Sequence, residues 1–241
     1  MKVIYSFNSY GGKNIPCAWW LRMAELSVQS MKNCGYRVEL YTDTYCADVF
    51  RGSNFCVSFD VVHVVDFMQF PHNMAYWNFG KLYVYSLQSE AFLHVDFDTY
   101  FHTEFRIPES GHIITEQERD YTYVQAFKDC AILPKTDTIP AKLICSGLLG
   151  STGAYFVWKE VFDFARTYCQ KAPRNTETMG YLVGVEEFNL SQIVQFYGLE
   201  VTELKPASFL HWQGANKRAQ YDKYISKLYY ETFKKSMYYN K

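Results

Sequence analysis

The sequence predicts an α/β protein built on a mainly parallel sheet. Short apolar strands alternate with amphipathic helices through the first hundred residues, the pattern of strand–helix–strand units. The strands run straight into carboxylates, at Asp43, Asp66, Asp96 and Asp98. In such sheets ligands bind beyond the carboxyl ends of the strands, so several acids there define a polar crevice. The 241 residues are 49% hydrophobic, enough for a substantial core and against disorder as the overall state.

The elements follow in order. Lys2 to Phe7 is an apolar first strand, ended by Ser9-Tyr10-Gly11-Gly12. Asn14 is a candidate helix cap, with Pro16 in the first turn, where a missing N–H costs nothing. Trp20, Ala24, Val28 and Met31 recur at helical spacing, and Gly35 stops that helix. Arg37 to Tyr41 and Val61 to Val65 are the next strands. Pro71-His72-Asn73 opens a helix that carries Met74, Trp77, Lys81 and Tyr85. Phe92 to Phe101 is an apolar strand interrupted by two carboxylates, Asp96 and Asp98.

The second half is less regular. His112 to Thr115 is a short strand, and Lys142 to Leu149 is apolar around Ser146-Gly147. Gly153 to Gln170 is a helix, Ala172 to Gly184 a loop, and Glu186 to Tyr197 a helix stopped by Gly198. Glu200 to Leu204 is a further strand, and Ser208 to Gly214 is apolar before its glycine.

Composition excludes several classes. A net charge of -1 gives no bulk attraction to nucleic acid, so no nucleic-acid partner is expected. No run approaches the roughly 18 apolar residues of a membrane span. The N-terminal apolar run is too short for a signal peptide. The seven Cys (17, 34, 46, 56, 130, 145, 169) are odd in number and include no C-x-x-C pair. Together these predict a reducing, cytoplasmic setting. Residues 215–241 carry seven Lys or Arg against Asp222 and Glu231. That tail reads either as a terminal helix packed on the domain with a solvated basic face, or as a basic-aromatic surface for peripheral contact with an anionic inner membrane face or a partner.

Four stretches carry chemistry. An ionised Asp in a dry interior is costly unless it is paired or bound to metal. Asp96 and Asp98, at i and i+2, leave a strand on one face and together can hold a divalent cation through oxygen. His211 can complete such a site. Gly214, three residues on, lets backbone N–H groups approach an anion, and Lys217 adds a cation for a diphosphate. Lys81 lies fifteen residues before Asp96. Glu186 and Glu187 complement a helix N-terminus, and paired acids also suit positive charge developing at an anomeric carbon.

Taken in order, the chain resembles the metal-dependent GT-A glycosyltransferases, and within them the glycogenin-like retaining galactosyl- and glucosyltransferases (family eight). The likeness runs from the first strand to about Lys217. It is carried by Gly80 to Leu87, by the D-x-D stretch Phe92 to Phe101, by Ser146-Gly147 and by His211-x-x-Gly214-x-x-Lys217. Glu186-Glu187 occupy the family's Asp-Gln position. Cys145 stands where the family has Asn, and Arg218-Ala219 where it has Pro-Trp.

The resemblance implies a GT-A domain over 1–241. Residues 1–105 would form its nucleotide-binding half, 106–217 the acceptor-side half and 218–241 a basic-aromatic C-terminal helix. It implies a nucleotide-sugar donor, UDP by family usage, and a glycan, lipid-linked sugar or protein hydroxyl as acceptor. Asp98 and His211 would hold Mn²⁺ or Mg²⁺, with Asp96 on the metal or the donor ribose. Lys81 and Lys217 would touch the diphosphate or the sugar, and Ser6, Asn8 and Asp43 the nucleoside. Ser146, Gly147 and Gly214 would complete donor binding. Glu186 and Glu187 would serve the sugar in catalysis, by double displacement through Glu187 or by front-face internal return.

Three other readings remain open. Asp96-Phe97-Asp98 also approaches the nucleophile strand of haloacid dehalogenases, with Tyr100 where Thr or Val is wanted. A sugar-nucleotide pyrophosphorylase would share the sheet but needs a different loop after the first strand. A catalytically degenerate GT-A domain would bind glycan or a partner instead of turning substrate over.

Overall fold

In the computed structural model, residues 1–51, 55, 57–69, 78–120, 140–171, 184–212, 219, 223 and 226–237 are described. The first strand, β1, spans Lys2–Phe7. It is followed by helix α1 (Ala18–Asn33), strand β2 (Val38–Thr42), helix α2 (Thr44–Arg51) and strand β3 (Val61–Val64). Helix α3 (Phe79–Ser86) leads into strand β4 (Phe92–Val95) and then β5 (Thr99–Phe101). Strands β6 (Ile113–Thr115), β7 (Glu118–Arg119), β8 (Leu143–Ile144) and β9 (Leu148–Ser151) come next. Helix α4 (Phe156–Lys171), a π-helical turn at Gly184–Phe188 and helix α5 (Asn189–Tyr197) follow. Strands β10 (Val201–Glu203) and β11 (Phe209–His211) precede the last described helix, α6 (Ser226–Met237).

Seven strands form the central sheet, in the order β10-β6-β9-β4-β1-β2-β3. β1 pairs in parallel with both β2 and β4, and β2 with β3. β9 runs antiparallel between β4 and β6, and β10 lies parallel beside β6. With helices on both faces, this is the mainly parallel mixed sheet flanked by helices that the sequence predicts. The sheet puts the ends of β1, β2, β3 and β4 along one edge, where Asn8, Asp43, Asp66 and Asp96 emerge.

Alternation along the strands sorts the core into two layers. Val3 and Tyr5 of β1 face α1 with Leu93 and Val95, while Ile4 and Phe92 face the other way, towards α3, α4 and α5. Trp158 of α4 closes that second layer against Tyr85 and Phe92, with ring centroids 5.3 and 5.7 Å away. Phe162 of α4 holds α3 through Phe79 and Tyr83, both at 5.2 Å. These contacts fix the helix that carries Lys81.

Four expectations need correction. The first helix begins at Ala18 rather than at Asn14. Tyr10, Gly11 and Gly12 adopt left-handed φ of 53°, 70° and 84°, and Asn14 N–H bonds back to Ser9 O, so the chain is still turning there. The stretch Phe92 to Phe101 is two strands in two sheets. Asp96-Phe97-Asp98 form the turn between them, closed by Thr99 N–H to Asp96 O at 3.1 Å. The pair therefore converges through a turn rather than along a strand. Glu186 and Glu187 open a helical segment as expected, but its first turn is π-helical and both side chains are buried. Lys142 to Leu149 divides into β8 and β9, in different sheets.

The helix expected from Pro71 is described from Phe79, and Met74 and Trp77 lie outside the described residues, as does the loop from Ala172 to Val183. α6 packs on α1: Arg22 lies 5.8 Å above the Tyr229 ring, the Tyr229 and Phe233 rings meet at 4.6 Å with a 39° tilt, and Phe233 is buried. This helix thus spends its apolar side on the protein. Tyr221, Tyr224 and Ile225 lie outside the described residues. No described helix is long and apolar enough to cross a membrane.

Candidate functional site

The described residues of the expected site come from seven segments of the chain. β4 delivers Asp96 and Asp98 at its carboxyl end. β11 pairs antiparallel with β5, His211 opposite Thr99, and Trp212 N–H donates to Asp98 O at 2.9 Å. That short ladder joins His211 to Asp98 across more than a hundred residues of chain. One oxygen of each carboxylate and one imidazole nitrogen lie within 4.8 Å of one another.

His211 is gripped from both sides. Its Nε2 is 3.3 Å from Asp98 Oδ1, and its Nδ1 is 2.8 Å from Glu116 Oε2. Burial opposes charge on the ring, but the hydrogen bonds to Asp98 and Glu116 outweigh it and push its pKa up to about 9. Gly147 makes this packing feasible, since a Cβ there would run into His211 Cε1 and lie 2.8 Å from Glu116 Oε2.

Lys81 is buried on α3. Its ammonium lies 3.1 Å from Asp96 Oδ1, 3.3 Å from Oδ2 and 3.8 Å from Glu186 Oε1, and it donates to Ser146 O at 3.0 Å. Burial works against that charge, yet Asp96 and then Glu186 hold its pKa well above the ordinary lysine value. Asp96 is itself pushed up, by burial first and then by the neighbouring Asp98, against the pull of Lys81. Asp96 therefore meets Lys81 through both of its oxygens, whereas Asp98 faces His211.

Glu186 and Glu187 have different partners. Burial pushes Glu186 up to about 7, with Lys81 opposing and Glu187 adding. Asn78 Nδ2 donates to its Oε2 at 3.3 Å. Glu187 Oε1 accepts from both the N–H and the hydroxyl of Ser146, each at 3.1 Å, and Arg119 lies 3.5 Å from Oε2. Burial raises its pKa as well, against Arg119.

A crevice of about 230 Å³ opens beside the cluster. Its lining includes Ser6, Asn8, Lys81, Asp96 and Asp98 from the expected set, with aromatic walls from Tyr10, Trp20 and Phe67. Ser6 Oγ is 2.8 Å from His94 Nε2, and Asn8 Oδ1 accepts from Tyr10 N–H at 2.8 Å. Asn8 Nδ2 is buried without a hydrogen-bond partner. His94 is kept neutral by burial and then by Lys81. Asp43 is buried and its carboxylate is committed to the Ser9 and Cys46 N–H groups, where it caps α2. Gly214 and Lys217 lie outside the described residues.

Sequence reasoning missed Glu116, Arg119 and Asn78. Glu116 carried a usable signal: it follows the apolar strand Ile113–Thr115, as Asp43 follows β2 and Asp96 follows β4. Arg119 is fixed by Glu187 and by Cys145 Sγ, 3.1 Å from its Nη2, and only tertiary structure reveals that.

The donor set fits a divalent cation. Two carboxylates and one imidazole together could hold a divalent cation. The second nitrogen of His211 is already bonded to a carboxylate, as in most metal-ligating histidines.

The fold is a mixed α/β sheet protein whose Asp96, Asp98 and His211 converge beside a crevice. The chain belongs to the family of unknown function DUF6734, whose model matches residues 14–174. No protein of curated function matches the chain in sequence. Two solved glycosyltransferases are similar in structure, each at 13% identity. The PaToxG glycosyltransferase has a TM-score of 0.46, with 81% of this chain covering 69% of that one. The galactosyltransferase LgtC, in complex with donor and acceptor sugar analogues, has a TM-score of 0.49, with 95% of each chain covered. Likeness at this level carries no activity or substrate across.

Proposed function

We propose that the protein is a metal-dependent glycosyltransferase that moves a hexose from a nucleoside-diphosphate sugar, with UDP as the nucleotide, to a hydroxyl acceptor on a glycan, lipid-linked sugar or protein, with retention. The observation that carries this reading is the convergence of Asp96, Asp98 and His211 beside Lys81 and the crevice. A phosphohydrolase built on Asp96 as nucleophile is disfavoured, because Lys81 covers both oxygens of that residue.

In this reading Asp98 and His211 hold Mn²⁺ or Mg²⁺, with Asp96 shared between that ion and the donor ribose. When bound, the ion supplies neutralising charge for the diphosphate leaving group. Lys81, with Lys217 from the same motif as His211, holds the phosphates electrostatically as the glycosidic bond breaks. Ser6 and Asn8 bind the nucleoside in the crevice, with the free Asn8 amide as a donor. Asp43 supports them by fixing the turn after β1 through Ser9.

Ser146 and Gly147 form the floor under the sugar. As the donor bond breaks, the anomeric carbon gains oxocarbenium character. Glu187 stabilises that charge electrostatically. Its oxygens are already engaged by Ser146 and Arg119, which favours this role over attack on carbon. The acceptor hydroxyl then adds from the face the leaving group vacates, and its proton passes to the departing phosphate oxygen. Glu186 keeps Lys81 in position.

The test is a thermal-shift panel of UDP, GDP and CMP with their sugars, each with and without Mn²⁺. Binding to the native state raises Tm by mass action, by about 2.7 kcal/mol of stability at a hundredfold excess over Kd. A rise confined to UDP compounds and larger with Mn²⁺ is expected. No rise with any nucleotide would refute the reading.

A further inference from the structure

We propose that Glu116 is a positioning residue for the cation site: it holds the His211 imidazole so that Nε2 faces Asp98 and the ion. The inference rests on the metal-site reading above, and it concerns a residue that none of the four motifs contains.

The geometry supports it in three ways. Glu116 Oε2 and His211 Nδ1 are 2.8 Å apart, which leaves Nε2 as the nitrogen on the Asp98 side at 3.3 Å. The backbone that carries this carboxylate is fixed, because Glu116 N–H donates to Leu148 O at 2.9 Å, which ties the end of β6 to β9, and Cys145 Sγ lies 3.7 Å from the same Oε2. Gly147, one residue earlier, abuts both side chains, and a Cβ there would displace the ring or the carboxylate. The pair is therefore clamped between the ends of two central strands, while His211 arrives from the separate β5–β11 ladder. A hydrogen-bonded carboxylate on the far nitrogen fixes ring orientation and raises ligand basicity, and its loss commonly weakens metal binding 10–100-fold.

The test uses the full chain and Mn²⁺ alone. Calorimetric titration gives Mn²⁺ affinity for the wild type, Glu116→Gln and Glu116→Ala, while pulsed electron paramagnetic resonance reads the ¹⁴N coupling from His211 to the bound ion. His211→Ala supplies the no-nitrogen reference. About a 10–100-fold loss of affinity is expected in Glu116→Ala, with the ¹⁴N coupling diminished towards that reference. Glu116→Gln, nearly isosteric and able to accept from Nδ1–H, should lie between the two and should melt close to the wild type. If both variants bind Mn²⁺ within twofold of the wild type and keep its ¹⁴N coupling, the positioning role is overturned while the metal site stands. If the wild type binds no Mn²⁺, the metal reading falls and this inference with it.

Discussion

At the scale of single residues, the site is a set of charges held against their own desolvation. Glu186 shows the consequence most clearly. Its ordinary carboxyl pKa of 4.5 is raised to about 7 by burial, with Lys81 opposing. A raised carboxyl pKa means the native state binds the proton more tightly than the unfolded chain does. The stability tied to that proton is complete below pH 4.5 and is lost as pH climbs through 7, up to about 3 kcal/mol at full ionisation. Glu186→Gln should flatten the fall in Tm between pH 4.5 and 7, as measured by calorimetric melting. A parallel fall in wild type and variant would remove Glu186 as its source.

Asp96, Asp98, His211 and Lys81, which the structure brings together, were marked in the sequence, the carboxylates by their i and i+2 spacing and the other two by the motif order of the resemblance. Partners drawn in by tertiary packing were not. Glu116 offered the same strand-end signal as Asp43, but its meaning depended on a histidine 95 residues away. Lys81 was marked as a site residue but its burial was not legible, because burying a lysine requires Asp96 and Glu186 around it, and no local pattern encodes that.

At the scale of elements, strands read better than the segments joining them. β1 is where its apolar run stands, because Val3, Ile4 and Tyr5 must be buried on both faces of a central strand. The D-x-D stretch misled because its hydrophobicity is continuous while its sheet membership changes at the turn. The π-helical turn at Gly184–Phe188 had no signature, since its burial comes from packing against α4, α5 and β8.

Element packing also sets how firmly the site is held. α3 carries Lys81 and leans on α4, whose Trp158 is 1% exposed between Tyr85 and Phe92. Trp158→Ala should cost about 3–5 kcal/mol by denaturant titration, because the cavity would lie at the junction of helix and sheet. A loss under 1 kcal/mol would mean that α3 and α4 collapse into the space and that the layer is not the support described.

At the scale of the whole molecule, one sheet edge gathers what the chain scatters. β1 and β4 end beside the crevice, and Ser146, just before the antiparallel β9, meets both Lys81 and Glu187. The fold class was legible because alternation and strand-end acids are consequences of that architecture. The two small accessory ladders were not, because each depends on strands of three residues or fewer meeting across the chain. Nucleotide, ion and sugar fall to different segments in this account, so their effects should be linked through Asp98 alone of the carboxylates that face His211 from the D-x-D turn. The most direct measurement is release of UDP from a UDP-hexose, followed in wild type and Asp98→Asn, with Mn²⁺ or with chelator. The account predicts release by the wild type with Mn²⁺, its loss in chelator, and its loss in Asp98→Asn while melting shows the variant folded. Equal release in chelator, or undiminished release by Asp98→Asn, would contradict it.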